Sequence, residues 1–185
     1  MKLSTLIVGA VVVSAVAFSM QAQQGKSPLV GQSAPDFTAT GTDGKTYSLA
    51  GVEKKAPLIL AFWKNPCPHN ARASALVNSI VAAYKGKVNV VGVVNSAGDR
   101  AKSFQDQFKM EYPFMADGEM KIIDSYKQER SITFVVIGKD KKIEAFIGGY
   151  SQDSMAQLNA AMAKAVGAAE VSLDFSSAPT RTTYG

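Results

Sequence analysis

Leu58-Ile59-Leu60-Ala61-Phe62-Trp63-Lys64-Asn65-Pro66-Cys67-Pro68-His69-Asn70 is the stretch on which the reading of this chain turns. Its first part belongs to a continuous apolar run that starts at Pro57, the pattern of a strand buried on both faces. Lys64 to His69 reads as a tight turn punctuated by two prolines, which bar regular structure. From Asn70 onward Ala73, Leu76, Val77, Ile80, Val81 and Tyr84 recur at spacings of three and four, which predicts an amphipathic helix over residues 70–84, ended by Gly86. Strand, turn and helix together deliver Cys67, the only cysteine in the chain, to the start of a helix. Its thiol is the candidate reaction centre.

Working outward, Pro35 forbids helix, residues 37–40 alternate as a strand, and Gly41-Thr42-Asp43-Gly44 is a turn by composition. Residues 45–49 return as the partner strand of a β-hairpin. On the other side, residues 88–94 form a second buried strand, and Asn95-Ser96-Ala97-Gly98-Asp99 is a loop leading into a polar helix over 100–109. A short strand over 112–115 precedes the Asp117-Gly118 turn. Met120, Ile122, Ile123 and Tyr126 suit a helix ending near 127, and residues 132–137 form a third strong strand. Residues 143–147 are its antiparallel partner, and Ser151-Gln152-Asp153-Ser154 opens the last helix, with Met155, Leu158, Met162 and Val166 toward the core. Strands alternating with helices, followed by a closing hairpin and helix, define an α/β sandwich around a mixed central sheet. No internal repeat is visible. Residues 169–185 are polar, contain Pro179 and lack a helical period, and are expected to form a mobile C-terminal tail.

The chain has 185 residues, and residues 1–22 read as a signal peptide: Lys2 supplies the positive start and residues 3–18 are apolar or small without charge. An uncleaved membrane anchor is the other reading, although the run is short for a span. Residues 23–28 form a polar linker, and residues 29–168 suit one domain with its own core. Export would place Cys67 in a compartment where disulfides persist, yet a single cysteine forms no internal bridge. Lysine and arginine number 20 against 15 acidic residues, for a net charge of +5; without Lys2 this becomes 19 − 15 = +4. The basic residues are scattered rather than set in a stripe with aromatic interleaving, so no nucleic-acid partner is expected.

Several motifs resemble the thioredoxin-like superfamily, in particular its redoxin branch, the alkyl hydroperoxide reductase/thiol-specific antioxidant or peroxiredoxin-like proteins. They are Gly31-x-x-Ala34-Pro35-Asp36-Phe37, Asp43-Gly44-Lys45 with Leu49, and Phe62-Trp63 with the cysteine four residues on from Trp63. Tyr112-Pro113-Phe114, Asp124-Ser125-Tyr126 and Thr133-Phe134-Val135-Val136-Ile137-Gly138-Lys139-Asp140 follow in the expected order. The resemblance implies a thioredoxin-like fold, a three-layer sandwich whose mixed sheet is flanked by helices, with the reactive cysteine at the N-terminus of the first long helix. Three positions depart from it. Asn70 stands where disulfide-exchanging members carry the second cysteine of Cys-x-x-Cys, Lys64 stands where peroxiredoxins carry a threonine, and Ile132 stands at the thioredoxin-type cis-proline, followed by a family-like Thr133.

The thiolate environment expected from these residues comprises Lys64, Pro66, Pro68, His69, Asn70 and Thr133. Helix-start N–H groups and the helix dipole favour a thiolate, and the resemblance implies that His69, third in a Cys-Pro-His-x motif, lowers the thiol pKa. The competing readings are a buried, inert cysteine and a histidine that only caps the helix. Trp63 reads as a core or pocket-wall aromatic. Arg130 resembles the arginine that peroxiredoxins aim at their thiolate, with a surface arginine as the alternative. One histidine and one cysteine do not fill a metal site, and no cofactor is expected. The leading expectation is an exported peroxiredoxin-like antioxidant that uses Cys67 and an external thiol reductant. A monothiol variant of the extracytoplasmic thiol-disulfide oxidoreductases and a non-catalytic binding domain are the alternatives. The partners that follow are a peroxide or disulfide substrate, a reducing thiol, and a second copy through an intermolecular disulfide; a membrane enters only through an uncleaved leader.

Overall fold

The computed structural model describes residues 27–51 and 56–185; the leader and most of the linker lie outside the described residues. Among the described residues eleven elements follow in order. β1 (Thr38–Thr40) and β2 (Thr46–Ser48) pair antiparallel as a separate two-stranded sheet. β3 (Leu58–Trp63), α1 (Asn70–Ala83), β4 (Asn89–Val94), α2 (Asp99–Gln107), β5 (Phe114–Ala116), α3 (Lys121–Ser125), β6 (Thr133–Ile137), β7 (Ile143–Gly148) and α4 (Gln152–Val166) complete the domain.

The main sheet runs β5-β4-β3-β6-β7. β3, β4 and β5 are parallel, whereas β6 and β7 run antiparallel to their neighbours. All six residues of β3 and all five of β6 are buried, because central strands of a two-sided sheet have no solvent face. Period-two alternation divides them between two cores. Ile59, Ala61 and Trp63 of β3 and Phe134 and Val136 of β6 pack with buried residues of α1, α2 and α4. Leu58, Leu60, Phe62, Val135 and Ile137 face the α3 and hairpin side, among Phe37, Ile122, Ile123 and Tyr126. This three-layer arrangement is the thioredoxin-like fold. Among the described residues no helix is long and apolar enough to cross a membrane.

Helix ends follow local chemistry. Ser151 and Ser154 form a reciprocal capping box on α4, with Ser151 Oγ accepting from the Ser154 N–H at 3.1 Å and Ser154 Oγ accepting from the Ser151 N–H at 2.8 Å. Close packing also dictates Gly92 on β4: a Cβ there would stand 2.6 Å from Phe114 Cζ, inside the aromatic ring's own volume.

Residues 169–185 contain no regular helix or strand, as their composition predicts, but they are laid onto the domain rather than left free of it. Tyr84 at the end of α1 and Asn159 of α4 hold the first part. The Tyr84 hydroxyl donates to Asn159 Oδ1 at 2.9 Å and accepts from the Val171 N–H at 3.2 Å, while Asn159 Nδ2 donates to the Val171 carbonyl at 2.9 Å. Further on, the Gln152 N–H donates to the Pro179 carbonyl at 2.9 Å, Ala178 is buried, and Thr183 bridges Tyr150. Residues 169–185, expected as a mobile tail, lie against the domain in this structure, where polar backbone finds partners in isolated buried polar side chains. Replacing Tyr84→Phe leaves the Val171 N–H without its acceptor and is expected to lower unfolding free energy by about 1–3 kcal/mol, measured by urea denaturation.

Candidate functional site

The site is assembled where β3 ends. Pro66 and Pro68 carry no N–H, so residues 64–69 cannot close a hydrogen-bond ladder of their own, and three other segments hold them. The Lys64 N–H donates to Ser131 Oγ at 3.0 Å, and the Lys64 carbonyl accepts from Asn70 Nδ2 at 3.0 Å. The Asn65 N–H donates to Asn95 Oδ1 at 2.6 Å, and Asn95 Nδ2 donates back to the Asn65 carbonyl at 3.3 Å. Asn65 Nδ2 reaches Ser96 Oγ at 3.4 Å. The Asn65–Pro66 and Ser131–Ile132 peptides are both cis, the second with isoleucine at the position of the thioredoxin-type proline.

Cys67 sits inside this frame with Pro66 and Pro68 exposed on either side. The flanking prolines suggest an exposed thiol, but Cys67 is only 8 % exposed. Its cover comes from Gly185: a Cβ built there would overlap Cys67 Sγ and lie 3.0 Å from Cys67 Cβ and 3.8 Å from Ser131 Cβ. The Gly185 N–H donates to the Ser131 carbonyl at 2.7 Å, and the Ser131 N–H donates to the Gly185 carbonyl at 3.2 Å.

The helix begins three residues after the thiol. The Asn70 N–H donates to the Cys67 carbonyl at 3.3 Å, and α1 starts at Asn70. His69 is the residue ahead of the first turn, half-buried, yet its imidazole makes no capping bond. Side-chain caps need an extended backbone at that position, and His69 has φ −87° and ψ −12°, already helical. In this structure His69 therefore makes no side-chain cap on α1. Asn70 is 1 % exposed, with Nδ2 committed to Lys64 and Oδ1 buried without a partner.

Other expected site residues are placed differently. Thr133 is buried, and its hydroxyl donates to the Arg130 carbonyl at 3.0 Å. Arg130 is exposed, and its guanidinium carbon lies 5.0 Å from the centre of the Tyr184 ring, a cation–π contact. Trp63 is a core residue, edge-on to Phe104 at 6.3 Å, with Nε1 buried and unpartnered. The Lys64 side chain is exposed; its backbone makes the bonds that matter to the turn. Ser131, Asn95 and residues 182–185 escape a sequence reading. Their bonds to the turn join distant parts of the chain and leave no local pattern; only the asparagines flanking the two loops, Asn65 and Asn95, hint at a carboxamide bracket.

A sheet of order β5-β4-β3-β6-β7, with one cysteine between the end of its central strand and the first long helix, defines a thioredoxin-like protein bearing a single thiol at the place where that fold carries its reactive sulfur. The family model for the AhpC/TSA family matches residues 30–146, and the chain belongs to the AhpC/TSA family. Among curated relatives, the thiol-disulfide oxidoreductase ResA of Bacillus thuringiensis (strain Al Hakam) is 29% identical over 129 residues, covering 68% of this chain and 74% of the relative. Among solved structures, a secreted Mycobacterium tuberculosis disulfide oxidoreductase homologous to E. coli DsbE superposes with a TM-score of 0.56 at 27% identity, over 69% of this chain and 95% of that one. Peroxidoxin BcpB of Mycobacterium tuberculosis shares the fold, with a TM-score of 0.60 at 18% identity over 73% and 94% of the two chains.

The Asn70 carboxamide ties the start of α1 to the turn through the Lys64 carbonyl, and its substitution tests that bond. Asn70→Asp removes the donor to the Lys64 carbonyl and buries a carboxylate, whose folded-state pKa burial raises above the unfolded value. The penalty is absent at low pH and grows as pH rises above the unfolded carboxyl pKa. An uncompensated buried charge costs about 3–5 kcal/mol. Denaturation midpoints of Asn70→Asp are therefore expected to fall steeply between acid and neutral pH relative to the parent protein.

Proposed function

We propose that this protein is an exported monothiol thiol-disulfide oxidoreductase that works through Cys67 on polypeptide disulfides. The observation that carries the reading is the surroundings of the sulfur. The polar groups converging there are the N–H and carbonyl of Ser131, arranged to pair with another backbone, as residue 185 does. An extended polypeptide fits that edge by strand addition. The likeness to the Bacillus thiol-disulfide oxidoreductase and to the secreted mycobacterial disulfide oxidoreductase supports the same direction.

The peroxidatic reading has weaker support. Lys64 replaces its threonine, the Thr133 hydroxyl is spent on the Arg130 carbonyl, and the Arg130 guanidinium stacks on Tyr184. No group singled out for peroxide binding is free and aimed at Sγ among these three.

Exchange begins when the Cys67 thiolate attacks one sulfur of a substrate disulfide. The new bond joins Cys67 to that sulfur, the substrate S–S bond breaks, and the other sulfur leaves as a thiolate. Asn70 offers no second sulfur, so an external thiolate must attack the substrate sulfur of the mixed disulfide. That step expels Cys67 as thiolate and leaves the substrate sulfur joined to the external thiol. Electrons balance without any net redox change in the protein. Isomerisation or thiol transfer is the outcome, rather than net oxidation by an internal disulfide.

Incubation with oxidised glutathione is expected to give one glutathione adduct by intact mass, absent in Cys67→Ser and reversed by added thiol. A dimedone adduct after hydrogen peroxide, without glutathione exchange, would transfer the assignment to the peroxidatic chemistry, and inertness to both would favour a binding domain. Asn70→Cys, by restoring a neighbouring thiol of high effective concentration, is expected to shorten the lifetime of the mixed disulfide by about 100-fold or more; quenched-flow alkylation followed by mass analysis reads that lifetime.

A further inference from the structure

We infer that residues 182–185 are an autoinhibitory strap: they occupy the backbone-pairing groove over Cys67 as a substrate strand would, and an incoming disulfide must displace them to reach the sulfur. The substrate half of this statement rests on the exchange function proposed above, but the occupancy of the groove does not.

Four contacts fasten the strap. Gly185 makes both bonds of an antiparallel pair with Ser131, at 2.7 and 3.2 Å. Thr183 exchanges both bonds with Tyr150, the Tyr150 N–H donating to the Thr183 carbonyl at 2.8 Å and the Thr183 N–H donating to the Tyr150 carbonyl at 3.1 Å. Thr182 Oγ1 donates to Ser151 Oγ at 3.2 Å, and Arg130 stacks on Tyr184. The groove is shaped for close passage of a chain. Gly149 has φ +83°, and a Cβ there would lie 2.9 Å from Tyr184 Cε1 and 3.0 Å from the Thr183 carbonyl oxygen.

At the sulfur the fit is exclusive. A Cβ on residue 185 would overlap Sγ, so a glycine lets the strap backbone lie directly against the sulfur, in the space that a group bonded to Sγ would have to enter. Attack on a disulfide requires access to Sγ along a free direction, and Gly185 stands against the sulfur of a cysteine that is only 8 % exposed. The fastening is nonetheless shallow. Tyr184 is exposed, Thr182, Thr183 and Gly185 are only half-buried, and the segment belongs to no helix or strand, features of the segments that open locally at low cost. A polypeptide that replaces those same backbone bonds competes on equal terms.

The test measures iodoacetamide labelling of Cys67 in the native full chain at fixed pH. Thr183→Pro removes the N–H that bonds Tyr150, and Gly185→Val places atoms in the volume of Sγ. Both are expected to label roughly ten-fold faster or more than the parent, with equal rates in denaturant. A synthetic peptide of residues 178–185 should slow Thr183→Pro back toward the parent rate. Equal native rates in all three proteins would overturn the strap. Should either variant fold poorly, the parent alone decides: forming the mixed disulfide with thionitrobenzoate should accelerate amide exchange at Thr183 and Gly185 while leaving β3 protected, and retained protection at both would overturn the proposal. Faster labelling without glutathione exchange would reject the exchange function and keep the strap.

Discussion

Two prolines on either side of one cysteine impose the constraint on which this structure depends. A turn with missing N–H groups cannot satisfy its remaining backbone by local pairing, and buried backbone polar groups left unpaired are costly. The turn therefore takes partners from three places: Ser131 ahead of β6, Asn95 and Ser96 after β4, and Asn70 at the start of α1. Those partners are themselves fixed because β4 and β6 flank β3 in the sheet. The sheet order thus positions the sulfur through the loops at one end, and the thiol inherits the rigidity of two buried strands.

Asn70 occupies the centre of this arrangement. A cysteine at 70 would offer a resolving sulfur and a weak donor; asparagine offers a strong donor to the Lys64 carbonyl and nothing that can form a disulfide. Chemistry and turn stability pull in opposite directions at this one residue. Position 70 carries a structural amide beside the single thiol of Cys67, so in the exchange proposed above the resolving thiolate comes from another molecule. The unpartnered Asn70 Oδ1 shows that only one end of the carboxamide is used.

Much of the fold is legible because it rests on periodicity. The run of β3 is apolar without break and that of β6 is apolar but for Thr133, since both faces are buried, and the three-four spacing of Ala73, Val77, Ile80 and Tyr84 marks the inner face of α1. The motif around Cys67 is legible for the same local reason. What escapes is non-local and polar. The docking of residues 169–185 depends on Tyr84 and Asn159, single polar atoms on helices whose apolar pattern hides them, and on backbone pairing that any sequence can make. The burial of Cys67 escapes too, since Gly185, which lies against it, is remote in sequence. His69 illustrates a subtler limit: its position suits a cap, but the choice between extended and helical backbone there is made by the prolines and the bracketed turn, not by the histidine.

Fold and reactivity meet along the path of that last segment. It leaves α4 at Gly167, is caught by Tyr84 and Asn159, crosses the start of α4 through Gln152 and Tyr150, and reaches Ser131 and the sulfur. Ser131 serves both sides of this meeting: its hydroxyl accepts from Lys64 and orders the turn, while its backbone pairs with residue 185. A strand that competes for the Ser131 backbone leaves the hydroxyl bond in place, so exchange of one occupant for another need not loosen the turn that holds Cys67. Ser131 thus separates two roles within one residue, ordering the turn through its hydroxyl and pairing with a neighbouring strand through its backbone.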